Sequence, residues 1–197
     1  SIEIDETIDN SITDTNSSSG GTSTEFQQLY IAYFGRAGAP GGLDYWVGTG
    51  ISTKEFASIM YAQPEFNSVN SDLSTKEQVN QIYLNLFNRD AKQAGLDYWV
   101  NEIDSGSLQL ASIANDLIYA ANNNAGGESD KLVLTNKTNA AIEYTAQISA
   151  SDEATDSYVP TSTDPWITGG ALEEAIDFMS SIDGDNEATD SEISDSI

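Results

Sequence analysis

Part of this chain is written twice, 53 positions apart and without a gap. Leu29-Tyr30-Ile31-Ala32-Tyr33-Phe34-Gly35-Arg36, followed by Leu43-Asp44-Tyr45-Trp46-Val47, returns as Ile82-Tyr83-Leu84-Asn85-Leu86-Phe87-Asn88-Arg89, followed by Leu96-Asp97-Tyr98-Trp99-Val100. A repeat of about 50 residues marks like supersecondary units that stack because none can bury its apolar face alone. In the first copy Phe26, Leu29, Tyr30, Tyr33 and Phe34 fall at helical spacing, and in the second Val79, Ile82, Tyr83, Leu86 and Phe87 do so. Capping-box patterns precede both runs, Thr22-x-x-Glu25 and Ser74-x-x-Glu77. Ser52-x-x-Glu55 is a third, with Ile51 and Phe56 placed as a hydrophobic staple. Leu43, Trp46 and Val47 share a face of a short helix after Pro40. Further helices are predicted over Leu108–Ala121 and Lys131–Ile148, with a loop from Asn122 to Gly127. Alternating β-branched residues are nearly absent. The prediction is an all-α fold, a pseudo-repeated helical bundle with two copies of a 53-residue helix-turn-helix unit and a closing helix.

Charge divides the chain into three. Lys and Arg total 7 and Asp and Glu 32, a net charge of −25, and all seven bases lie between Arg36 and Lys137. Residues 1–25 carry six acids and residues 150–197 carry thirteen, with no base in either segment. The expected organisation is an acidic N-terminal arm with a Ser/Gly hinge (1–22), a helical core (23–149) and an acidic, largely irregular C-terminal extension (150–197). In the first arm Ile4, Ile8 and Ile12 recur every four residues, a spacing that suits a helix stripe or a strand edge. In the last segment Leu172, Ile176 and Met179 form an apolar stripe on a helix expected over 171–182, which must dock on its own core or on a neighbour. Trp166 offers that segment an anchor, and the last fifteen residues read as disordered in isolation.

Composition narrows the chemistry. The chain has no cysteine and no histidine, which removes disulfides, thiolate metal sites, the commonest general base and any Ser-His-Asp or Cys-His apparatus. So acidic a surface repels nucleic acid, whose phosphates require clustered Lys and Arg. No apolar run approaches the ~20 residues of a membrane span. Missing cysteine, few lysines and many acids suit an extracellular protein of the bacterial cell surface.

The phrase Tyr-x-x-Tyr/Leu-Phe-Gly/Asn-Arg, six residues, Leu-Asp-Tyr-Trp-Val resembles the signature of a bacterial family catalogued as domain of unknown function 4214. Asn136-Lys137-x-x-Ala140-x-x-x-Tyr144-Thr145 resembles that family's closing helix, so the likeness spans about residues 24–148. It implies a helical module of secreted and surface-layer proteins, often found beside calcium-binding nonapeptide repeats. A more distant likeness to a lipopolysaccharide-anchoring domain implies a surface glycan as partner. The family has no established catalytic residues to carry over, and the Gly-Gly-x-Gly-x-Asp repeats of a calcium β-roll are absent here.

Four groups of residues invite a role. Arg36 and Arg89 each precede an acid, Asp44 and Asp97, by eight residues, a separation that can clamp a helix-turn-helix corner through a bidentate pair. The same arginines, with Tyr45 and Tyr98, could instead contact a glycan or a partner, while Trp46 and Trp99 fall on the core face. Asp183-Gly184-Asp185-Asn186-Glu187 places oxygen ligands Asp183, Asp185 and Glu187 around a glycine, a fragment of a calcium loop without its remaining ligands. Ile4, Ile8, Ile12, Leu172, Ile176 and Met179 are the assembly anchors. The expected function is a non-enzymatic extracellular structural protein, a subunit of a surface layer, sheath or filament. It would self-associate through its arms and respond to calcium. A polysaccharide-binding module is the alternative, and a glycosidase working through two carboxylates comes third, since that chemistry needs neither histidine nor cysteine.

Overall fold

The computed structural model of the chain describes residues 19–160 and 170–197. Among these there is no strand; the elements are α-helices and one short 3-10 turn. The first half runs α1 (Ser23–Phe34), α2 (Pro40–Thr49), α3 (Thr53–Tyr61) and α4 (Pro64–Asn70). The second begins with α5 (Thr75–Phe87) and α6 (Gln93–Asp104), then a 3-10 turn at Leu110–Ser112 leading into α7 (Ile113–Asn123). α8 (Glu128–Ser149) follows, then α9 (Asp152–Ser157), α10 (Ala171–Ser180) and α11 (Asp190–Asp195). The anchors Ile4, Ile8 and Ile12, and the turn carrying Trp166, lie outside the described residues.

Local chemistry explains where the helices start. Thr22, Ser52 and Ser74 each accept from the backbone N–H three residues on, while Glu25, Glu55 and Glu77 reach back to the cap, so all three capping boxes form. α2 and α4 instead begin with Pro40 and Pro64, whose fixed φ suits the first helical position and whose missing N–H would have been unpaired there. α1 and α5 end on left-handed residues at equivalent places, Gly35 (φ 66°) and Asn88 (φ 54°). Asparagine tolerates this conformation better than most residues.

The core is one apolar cluster. α1, α5 and α8 pack on one another at its centre, and α2, α3 and α7 close around α1 and α8. Phe26 stacks on Phe56 with centroids 4.5 Å apart, and Tyr33 meets Phe66 edge-on at 5.8 Å. The Tyr33 hydroxyl donates to the Ala111 carbonyl, tying α1 to the turn before α7. Leu43 is buried and Trp46 half-buried as the helical face requires, whereas Val47 is exposed.

The C-terminal segment departs from expectation in part. The helix expected over 171–182 forms as α10, the short helices α9 and α11 stand where irregular chain is expected, and the segment packs on its own chain. Leu172, Met179, Ile182 and Ile193 are buried, Tyr144 of α8 packs against Phe178 with centroids 5.5 Å apart, and the Tyr144 hydroxyl donates to the Ser196 carbonyl at 2.9 Å. Thr189 and Glu192 form a fourth capping box, which starts α11 inside the stretch read as disordered. The physical reason is α8, whose outer flank supplies the apolar partner these residues lack in isolation.

Candidate functional site

Each copy of the repeated motif builds the same corner. After the left-handed residue, the arginine turns back over the aromatic face of its own helix. Arg36 lies 5.5 Å from the Tyr30 ring centroid and 5.4 Å from that of Phe34, and Arg89 lies 5.4 Å from Tyr83 and 5.9 Å from Phe87. One guanidinium N–H of each donates to the carbonyl of the next residue, Ala37 or Asp90, at 2.9 and 3.0 Å. The remaining face forms a bidentate pair with a carboxylate.

That carboxylate is not the one the spacing suggested. Arg36 pairs with Glu65, Nε to Oε1 at 2.7 Å and Nη2 to Oε2 at 2.9 Å. Arg89 pairs with Asp130 at 2.8 and 2.7 Å. Asp44 and Asp97 are exposed, and Asp97 accepts instead from Gln93 at 2.6 Å. Glu65 lies in the first turn of α4 and Asp130 in the first turn of α8, where the helix dipole favours negative charge. The clamp therefore ties each motif copy to a later helix rather than closing the corner on itself.

Burial separates the two arginines. The Arg36 and Glu65 side chains retain 3% and 7% of their exposure, whereas Arg89 retains 31%. Burial alone would lower the Arg36 pKa, but the Glu65 carboxylate more than offsets it and holds the guanidinium charged. Tyr158, beyond α9, packs its ring 5.3 Å from Arg36 and donates its hydroxyl to Ala37 at 2.8 Å. Burial raises that phenol to about 12. Arg36 is thus enclosed by α1, α4 and Tyr158, and is not presented to a glycan.

The aromatic residues divide as their helical positions suggest. Trp99 is buried and donates to the Tyr83 hydroxyl at 3.0 Å; Trp46 is half-buried and meets the Phe56 ring edge-on at 5.6 Å. Tyr45 is 62% exposed, edge-on to Trp46 at 4.9 Å, and Tyr98 is half-buried. Burial first, then the charges of Glu102 and Asp116, raise the Tyr98 pKa. Burial also pushes Asp116 up to about 6, against the attraction of Lys54. The structure does not bring Tyr45, Tyr98, Arg36 and Arg89 together as one cluster of exposed side chains.

Among the acidic-loop residues, Asp183 Oδ1 accepts from the backbone N–H of Asp185 at 2.8 Å and of Asn186 at 2.9 Å. Asn136 of α8 donates to the Asp183 carbonyl at 2.9 Å, which fastens the loop to the core. Asp185 and Glu187 are exposed. Among the described residues no group of three or more Asp, Glu, His or Cys side chains is arranged to hold a metal ion. Leu172 and Met179, read as assembly anchors, face their own core instead, and Ile176 beside them is half-buried. Lys137, which carried no role in the sequence, is buried under the end of α5 and donates to the carbonyls of Leu84 at 3.3 Å and Asn85 at 2.8 Å.

Residues 57–125 match the family model described as Domain of unknown function (DUF4214). It is the family that the repeated motif resembles. The DUF4214 match covers about a third of the 197 residues, running from α3 through α7, and it takes in the second copy of the motif but not the first. No curated protein and no solved structure matches the chain. Among the described residues, no helix is long and apolar enough to cross a membrane.

Proposed function

We propose that this protein is a non-enzymatic structural protein of the bacterial cell surface that associates with copies of itself. The observation carrying this reading is that the polar chemistry of the repeated motif is spent internally. Both arginines are held in bidentate pairs, Trp99 is bonded to Tyr83, and Lys137 closes the end of a helix. Residues so used build a scaffold, and the contacts of such a scaffold lie on its surface and arms. With Leu172 and Met179 inside the core, self-association falls to the N-terminal arm with Ile4, Ile8 and Ile12. Calcium acts in this reading as a counterion for a surface of net charge −25 rather than at one coordination site.

Removing residues 1–18 should leave a folded monomer that no longer assembles. The check is circular dichroism together with sedimentation velocity on the intact and shortened chains, with millimolar calcium and with chelator. Assembly of the shortened chain equal to that of the intact one would overturn the role of the arm.

One observation favours a second reading, a surface-polysaccharide module. Tyr45 is exposed beside Trp46, with Gly41 and Gly48 on the same helix leaving open space around their backbone. An aromatic ring so placed can stack on a sugar face. Tyr45→Ala should then abolish retention on immobilised polysaccharide without changing the thermal midpoint, and unchanged retention would exclude this site.

A further inference from the structure

The two motif copies share one more device, and its surroundings differ. Gln27 Oε1 accepts from the backbone N–H of Gly38 at 2.9 Å; 53 residues later Asn80 Oδ1 accepts from that of Ala91 at 2.8 Å. In the first copy this corner is covered. Gln27 Nε2 donates to Ala141 O at 3.2 Å and Thr145 Oγ1 at 2.7 Å, Gln28 donates to Thr138 at 3.3 Å, and Thr145 donates to Gly38 O at 2.7 Å, all on α8. Gln27, Ala37 and Gly38 are buried as a result. In the second copy the equivalent Asn80 and Ala91 are half-buried, and Gln81 and Asp90 are exposed. The amide groups that would meet a helix are folded onto their own chain, Asn80 to Asp90 at 2.7 Å and Gln81 to Asn85 at 2.9 Å. A groove of about 450 Å³ lies there, lined by Leu73, Ala91 and Leu96, with Lys76, Glu77 and Asp90 as its charged residues.

We propose that this groove is a seat for a helix, equivalent to the seat α8 fills on the first copy, and that its occupant is the N-terminal arm of a second copy of this chain. The proposal rests on the reading of the protein as self-associating. Two features select the arm. Residues 1–18 carry an isoleucine every fourth position, Ile4, Ile8 and Ile12, which on a helix makes one apolar stripe to meet Leu73, Ala91 and Leu96. The length suffices, since eight residues of α8, Thr138 to Thr145, make the equivalent contacts. Because each arm would enter a different molecule's groove, the contact is head-to-tail and propagates unless the geometry closes into a ring. That is the contact a sheath or filament needs.

The absence of cysteine makes the test direct. Full-length Ile8→Cys and Gln81→Cys chains are purified separately, mixed and oxidised. The expected product is a mixed disulfide of twice the 21.1 kDa chain mass, at least tenfold more abundant than that from Ile8→Cys with Gly48→Cys, an open site on α2. If the intact chain assembles but Ile8→Cys shows no preference for Gln81→Cys, the seat is wrong and the reading of the protein stands. If a chain carrying both cysteines closes on itself and yields monomer alone, the occupant is its own arm and the second-copy proposal fails. If the intact chain never assembles, the reading and the seat fall together.

Discussion

Replacing Arg36 with alanine should cost about 3–5 kcal/mol of folding stability, because it strands the Glu65 carboxylate in a site closed to water. For a chain of this size each kcal/mol moves the thermal midpoint by about 2–4 °C, so the expected fall is about 6–20 °C. The loss has two sources. The bidentate pair at 2.7 and 2.9 Å disappears, and so do the contacts of the guanidinium with Tyr30, Phe34 and Tyr158. Arg89→Ala is the internal comparison: Asp130 is as buried as Glu65, but 31% of the Arg89 side chain is exposed, so its removal opens the abandoned carboxylate to water. Its cost should be about 1–2 kcal/mol, the scale of a charged hydrogen bond with partial solvent access. Removing both Arg36 and Glu65 should be cheaper than the sum of the single losses, because no charge is left stranded. Urea denaturation followed by circular dichroism gives all four values. Equal costs for the two arginines, or strict additivity of Arg36→Ala with Glu65→Ala, would refute the argument that burial sets the difference.

Gly35→Ala should destabilise the fold by about 1 kcal/mol or more, since it puts a Cβ at φ 66° and within 3.2 Å of Asn85, whereas Asn88→Gly should be neutral or stabilising; paired denaturation curves decide it. Burial lowers Lys137 to about 8, so between pH 8 and 10.5 the unfolded chain holds a proton the folded one has released. The burial penalty is fully present below pH 8 and relieved as pH rises through that window, so the stability advantage over Lys137→Met should grow from pH 8 to 10.5; a constant difference would exclude it. Asp116 is raised from 3.8 to about 6, so its penalty is present above pH 6 and lost as pH falls below 4. Asp116→Asn should therefore raise the thermal midpoint at pH 7 and leave it nearly unchanged at pH 3.5, and an equal shift at both would contradict the assignment.

The helices and their starts were legible in the sequence because their signals are local. Three capping boxes and the apolar spacing of Phe26 to Phe34 and Val79 to Phe87 needed no knowledge of the rest of the chain. The same signal stands at Thr189-x-x-Glu192, but an acidic tail with two isoleucines reads as solvated until α8 supplies the surface that buries Ile193. Amphipathic spacing identified the Leu172 and Met179 face without saying what it would meet, since a stripe specifies a side of a helix and not its partner. The arginine partners were illegible for a different reason. Glu65 and Asp130 lie 29 and 41 residues after their arginines, so the 53-residue repeat carries no register that links them. The trace they leave is an acid in the first turn of a helix, a feature common enough to be overlooked. The contrast between the covered corner at Gln27 and the open one at Asn80 is mainly tertiary, because both copies hold a corner N–H with a side-chain amide at the same register, Gln27 on Gly38 and Asn80 on Ala91.

Self-association is the claim on which the functional account stands, and sedimentation velocity of the intact chain over a range of concentrations, in calcium and in chelator, tests it most directly. The account expects species several times the 21.1 kDa chain mass that grow with concentration and are favoured by calcium. A single 21.1 kDa species at every concentration in both buffers would contradict it.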